Sequence, residues 1–270
     1  VSGERVYDLA AAGGDYPPRD GAPERSIVVC TQQRSGSTLL GEAMYFAGGM
    51  GCPLEYFHPG FQPAFAGRWN AAGSYVAALH RHRTTPSGVF ATKLFWRDLL
   101  DLANERAPGR FEALRMASPA AVPFESYREL FGLIADIVPN ASWIFLTRRD
   151  AVRQAISNYV AWKTARWRLS DEQEHRVASV PDYDVHLIRR LLSRILRSNA
   201  HWRRFFEANG IAVCELAYEE LEQDYTETLR RVFAAIGFAD ATIPPARLRK
   251  QADAVNDALL ARFRVEFGAN

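Results

Sequence analysis

A chain of 270 residues, 48% hydrophobic and 24% charged, is long enough to bury a substantial core and reads as a soluble globular protein. Its formal net charge of +2 excludes a binder that depends on a strong positive field, so no nucleic acid is expected as partner. The apolar runs are too short and interrupted for an integral membrane segment, and the N-terminus has no signal-peptide core, which makes cytoplasm the expected compartment. The basic side chains are 30 arginines against three lysines, and the planar guanidinium fork suits phosphate and sulfate oxygens. Cys30, Cys52 and Cys214 are too widely spaced for a disulfide framework or a zinc signature and read as reduced thiols, two of them at or beside strands.

Residues 1–24, rich in small residues and proline, predict a mobile lead-in, with one domain over 25–270. The β-branched run SIVVC, residues 26–30, predicts a buried strand. A polar turn at residues 31–36 follows. Next comes a helix whose Leu40, Ala43, Met44 and Ala47 share a face and which Gly48 and Gly49 stop. Residues 51–65 hold Pro53, Pro59 and Pro63 and predict a rigid loop without regular structure.

A helix is predicted over residues 70–82, a strand over GVFATKLFW at 88–96, a short helix over 97–103 and an irregular excursion over 108–124. The spacing of Leu130, Phe131, Ile134, Ile137 and Val138 predicts another helix, broken by Pro139 and Asn140 before the strand SWIFLT at 142–147. A basic turn and a helix with Asp150 near its start come next. A long amphipathic helix is predicted over 183–208, ended by Gly210, then the strand IAVCEL at 211–216 and one helix through 218–236. This alternation predicts an α/β fold of three layers, a mainly parallel central sheet flanked by helices.

The turn QRSGSTLL at residues 33–40 carries the chemistry. A turn from the C-terminal end of a parallel strand into a helix presents unpaired backbone N–H groups and a favourable dipole to an anion. Gly36 permits close approach, Ser37 and Thr38 add hydroxyl donors, and Arg34 supplies charge. Neither the lysine-ended phosphate loop nor the three-glycine dinucleotide fingerprint is present. Residue types alone fit equally an anion-binding loop and a capped turn with Arg34 in solvent.

QRSGSTLL, followed in order by CPLEYF at 52–57, GVFATKLFW, RRDAVRQAIS at 148–157 and KQAD at 250–253, resembles the Stf0-type bacterial sulfotransferase family over about residues 26–258. The resemblance implies a P-loop-like fold and transfer of a sulfuryl group from 3'-phosphoadenosine 5'-phosphosulfate (PAPS) to an acceptor hydroxyl. It assigns the 5'-phosphosulfate to Arg34, Ser35, Gly36, Ser37 and Thr38, and the 3'-phosphate to Arg148 and Ser157, with Arg149 as the competing arginine. Lys250 and Gln251 fall in the late loop that closes on the nucleotide. Glu55 is implied as general base, followed by the aromatic pair Tyr56 and Phe57. An alcohol needs its proton removed to become a good nucleophile, which a carboxylate within hydrogen-bond reach does. Lys93, Trp96 and Trp162 are further candidates beside the acceptor. Arg34 would stabilise charge on the transferring and departing groups.

The loop after Glu55 and residues 67–83 and 158–169 depart from the family pattern, so the acceptor is expected only as a carbohydrate or glycolipid hydroxyl. A homodimer is implied by the resemblance, and no metal is required by the scheme. His58, His80 and His82 have no companion set for a metal, and no histidine identifies a serine-hydrolase partner. The alternatives are a P-loop-like small-molecule kinase and a non-catalytic nucleotide- or anion-binding protein.

Overall fold

The computed structural model describes residues 8–69, 74–164, 182–247 and 254–267. Four strands, β1 (Arg25–Thr31), β2 (Val89–Phe95), β3 (Ala141–Thr147) and β4 (Val213–Ala217), form one sheet in the order β2-β1-β3-β4. All three pairings are parallel, with Val29 opposite both Lys93 and Ile144. Strands buried on both faces read as continuous apolar runs, which is why β1, β2 and β3 stood out in the sequence.

The side-chain alternation of β1 divides the core. Ile27 and Val29 face α1 (Ser37–Ala47) and α10 (Tyr225–Ala235), packing with Leu40, Met44, Leu229 and Phe233. Val28 and Cys30 face the other layer, where α4 (Trp96–Arg106), α6 (Phe124–Ile134) and α8 (Val185–Asn209) contribute an aromatic cluster around Trp143, Trp202, Phe205 and Phe206. A third apolar cluster joins α7 (Ala151–Thr164), α8 and α11 (Ala254–Phe267). Helices on both faces of a parallel sheet make the three-layer α/β architecture.

Several elements differ from expectation. The proline-rich loop holds a helix, α2 (Gln62–Arg68), because Pro63 falls in its first turn, where the missing N–H costs nothing. Helix α3 runs Tyr75–Arg83, and residues 70–73 of that predicted helix lie outside the described residues. The excursion contains α5 (Glu112–Met116). The helix predicted through 218–236 is two, α9 (Tyr218–Gln223) and α10, with Asp224 accepting a hydrogen bond from the Glu227 N–H at the break.

The segment expected as a mobile lead-in is tied to the body at particular residues among 8–24, while much of it is exposed. Leu9 is buried, Arg83 donates to the Leu9 and Gly14 carbonyls at 2.9 and 2.8 Å, and Asp15 ion-pairs with Arg83 at 3.0 Å and Arg68 at 2.7 Å. No helix among the described residues is long and apolar enough to cross a membrane.

Candidate active site

The chain goes from β1 to β2 on one side and then returns to β3 on the other, so the strand order reverses between β1 and β3. A crevice opens there, beyond the carboxyl ends of the strands. Gln33 to Gly36 leave β1 into it and Arg148 leaves β3 into it. Both halves of the expected donor site therefore converge by topology.

The loop is held in an uncommon conformation. Arg34 has φ of 64° and Gly36, the N-cap of α1, has φ of 86°. A non-glycine residue in the left-handed region persists only where its surroundings over-determine it. They do so here through named bonds. Thr31 Oγ1 donates to the Leu146 carbonyl at 2.7 Å, which leaves the Ser35 hydroxyl to donate to Thr31 Oγ1 at 2.6 Å. Gln154 Nε2 donates to the Gln33 carbonyl at 2.8 Å, and Arg34 Nε donates to Ser157 Oγ at 3.0 Å.

Gly36 has no side-chain cap to offer α1, so the first-turn N–H groups of that helix carry no side-chain cap bond from it. A Cβ on Gly36 would stand 2.5 Å from the Tyr218 ring. The Arg148 guanidinium lies over the same ring, 4.7 Å from its centre. Arg148 also donates to the Arg34 carbonyl at 3.4 Å, while its buried Nε has no hydrogen-bond partner among the described residues. Arg149 turns outward to Glu220 at 2.8 Å, and its backbone N–H donates to Glu219.

Glu55 lines a cavity with this loop. The segment before it is stitched to the open edge of β2: Leu54 bridges Thr92, and Lys93 N–H donates to the Leu54 carbonyl at 2.9 Å. This pairing sets the Glu55 carboxylate 3.0 Å from the buried Lys93 Nζ. A cavity of about 360 Å³ is lined by Arg34, Ser37 and Thr38 of the loop together with Glu55, Lys93 and Phe95. Phe61, Phe65, His58 and Gln33 complete much of its wall, with Asp8, Leu9 and Ala10 closing one side. Burial pushes the Asp98 carboxyl up to about 7, and the negative charge of Glu55 adds to the shift.

Arg34, Ser37, Thr38, Glu55 and Lys93 thus meet in one cavity, and Arg148 and Ser157 join through Arg34. The Ser35 hydroxyl is spent inside the loop. Tyr56, Phe57, Trp96 and Trp162 do not line this cavity. Tyr56 is fully buried between Phe65 and Phe90, its hydroxyl donating to the Cys52 carbonyl, and Phe57 packs edge-on against Tyr75. Trp96 stacks on His201 with ring centres 5.0 Å apart, and Trp162 lies exposed on α7 beside Lys163. Lys250 and Gln251 lie outside the described residues. Among those described, no group of three or more His, Cys, Asp or Glu is placed to hold a metal.

Sequence reasoning did not assign Tyr218, Gln154 or His58 to the site. Tyr218 had a usable signal, since it directly follows β4 at the same carboxyl end of the parallel sheet as the loop. Gln154 sits on α7 one turn before Ser157, and nothing local marks it.

A four-stranded parallel sheet flanked by helices, with the Gly-Ser-rich loop leaving β1 at its reversal point and Glu55 lining the same cavity, is consistent with a P-loop-like α/β architecture. The Stf0 sulphotransferase family model matches residues 26–266, and the chain belongs to that family. It is similar to the trehalose 2-sulfotransferase of Mycobacterium tuberculosis, 28% identical over 269 residues that span 90% of this chain and 95% of that protein. A trehalose 2-sulfotransferase of Mycolicibacterium smegmatis is 26% identical over 269 residues, spanning 88% and 94%. Family membership supports sulfate transfer as the chemistry.

Proposed function

We propose that the protein transfers the sulfuryl group of PAPS to a hydroxyl of a carbohydrate or glycolipid, by in-line displacement with Glu55 as general base. The observation that carries this reading is that Glu55 and the Arg34 loop line one cavity. Proximity of a base and an anion site is what in-line transfer requires.

The residues present fit the donor. The α1 N-terminus, the Ser37 and Thr38 hydroxyls and Arg34 suit the 5'-phosphosulfate. The buried Nε of Arg148, unpaired among the described residues, suits an anionic partner, with Ser157 within reach of the same network, and these would hold the 3'-phosphate. Lys250 and Gln251 are assigned to the nucleotide by family resemblance alone. The donor supplies an activated sulfur and a leaving group that departs as adenosine 3',5'-bisphosphate.

Glu55 accepts the proton from the acceptor hydroxyl as its oxygen bonds to sulfur, and the bond from sulfur to the bridging oxygen breaks with its electron pair leaving on the nucleotide. Lys93 holds the Glu55 carboxylate in position. Arg34 and the loop N–H groups offset the charge growing on the departing oxygens. A sugar fits the rest of the cavity, since Phe61, Phe65 and Phe95 offer flat apolar surface and His58 and Gln33 offer polar groups. The two relatives are named for action on trehalose, which supports a sugar acceptor.

The test pairs binding with turnover. Adenosine 3',5'-bisphosphate should bind in EDTA by calorimetry, whereas a magnesium-dependent preference for ATP with no bisphosphate binding would indicate a kinase instead. In a donor-saturated assay over a panel of sugars and glycolipids, Glu55→Gln should keep nucleotide affinity and lose roughly 10²- to 10⁴-fold in turnover. An unchanged rate on the true acceptor would remove Glu55 as base.

A further inference from the structure

A second cavity, of about 640 Å³, lies outside the proposed donor and acceptor site. One wall is a single face of α8, where Arg189, Arg190, Arg194 and Arg197 recur at helical spacing, and Arg97 and Arg115 stand on α4 and α5. Leu100 and Leu114 make its apolar part, with Trp96 and His201 stacked almost parallel at an interplanar angle of 5°.

The charge in this cavity is poorly balanced. Asp101 takes Arg115 at 2.7 Å and Arg97 at 3.5 Å, and Arg189 lies over the Phe267 ring. Arg190, Arg194 and Arg197 have no carboxylate within ion-pair distance among the described residues. Like charges gathered along one wall of a cavity repel one another and raise a positive potential in the space between them. Arg194 registers this: desolvation, with Arg97 adding, lowers its proton affinity.

A second observation is independent of the arginines. His201 is 1% exposed and lines the cavity, with its Nδ1 shared with the Tyr127 hydroxyl at 2.8 Å and its ring also held by the Ala117 backbone. Ser193 and Ser198 bring hydroxyl donors to the same wall. An aromatic and aliphatic interior under a fork-donor wall suits a ligand with an oxyanion at one end and an apolar body at the other.

We propose that this cavity is a second anion site, separate from the donor loop, that takes an organic phosphate or sulfate monoester. The arginines on α8 bind the tetrahedral oxyanion, and Trp96, Leu100 and Leu114 receive the body of the ligand. The site does not depend on the sulfuryl-transfer reading.

The probes are 1-naphthyl phosphate and octyl phosphate, which distinguish a flat from an alkyl body, with inorganic phosphate and 1-naphthol as controls. Each is titrated calorimetrically into the full chain, with and without saturating adenosine 3',5'-bisphosphate. One ester or both should bind one to one, at least tenfold tighter than either control and undisturbed by the nucleotide. The double variant Arg194→Gln, Arg197→Gln changes two exposed helix residues, and circular dichroism melts check its fold. It should weaken the ester at least tenfold and leave nucleotide affinity unchanged. Displacement of the ester by the nucleotide, affinity no better than that of inorganic phosphate, or equal ester affinity in a folded double variant would each overturn the proposal.

Discussion

Arg148 and Arg149 are neighbours in the chain with different surroundings. Arg149 is paired with Glu220, which Arg231 also holds, so removing it loses one exposed ion pair of little weight. Arg148 is part-buried against Tyr218 and touches the loop carbonyl of Arg34, with its Nε unpaired among the described residues. Arg148→Met is therefore expected to weaken adenosine 3',5'-bisphosphate binding by at least tenfold, and Arg149→Met by less than threefold, when both are titrated under the same salt conditions. Equal losses would place the 3'-phosphate elsewhere. The same scale explains the loop itself: the left-handed Arg34 is tolerable because Ser157, Gln154 and Arg148 bond the residue or its neighbour from outside the loop.

Among the elements, the boundary between α9 and α10 shows how one residue divides a helical pattern. The apolar spacing from Tyr218 to Ile236 is continuous enough to read as one helix, yet Asp224 has φ of −147° and caps α10 through the Glu227 N–H at 3.0 Å. An aspartate that accepts from its N3 amide competes with helix continuation, because its side chain satisfies a donor that the helix would otherwise leave orphaned. Asp224→Ala should lower stability by about 1 kcal/mol, read from urea melts. The break also has a positional consequence, since α9 begins at Tyr218 and sets that ring against Gly36 and Arg148.

At the scale of the whole molecule, Arg83 ties the N-terminal segment to the body. It is fully buried, stacked near Tyr56, Phe65 and Trp69, bonded to two carbonyls of that segment and ion-paired with Asp15. Removing the carboxylate leaves a buried guanidinium without its counter-charge, which typically costs roughly 3–5 kcal/mol. Asp15→Ala should show a loss of that order in chemical denaturation. Because Asp8, Leu9 and Ala10 line the cavity beside Glu55, the same variant should raise the acceptor KM in the transfer assay more than it lowers kcat. Unchanged stability would mean that the segment is not held by this pair.

The sequence alone determined the α/β alternation, the parallel strands and the Arg34 loop, because each is written in local terms. Strands buried on both faces read as apolar runs, helix faces recur at 3.6 residues, and a Gly-Ser-rich turn between strand and helix advertises its backbone donors. The order of the motifs then carried the family resemblance. Tertiary structure decided what those terms do not encode. The bridge from Leu54 to the β2 edge brings Glu55 into one cavity with the loop, while Tyr56 and Phe57, the next residues along, pack into the core. Trp96 went to a different cavity from the one expected, and Leu9 and Gly14 are anchored to Arg83 although the composition around them reads as a lead-in. The physical reason is sequence distance: Arg83 meets Leu9 across 74 residues and Arg34 meets Ser157 across 123, and such contacts depend on which surfaces the sheet order makes adjacent rather than on the residues flanking either partner.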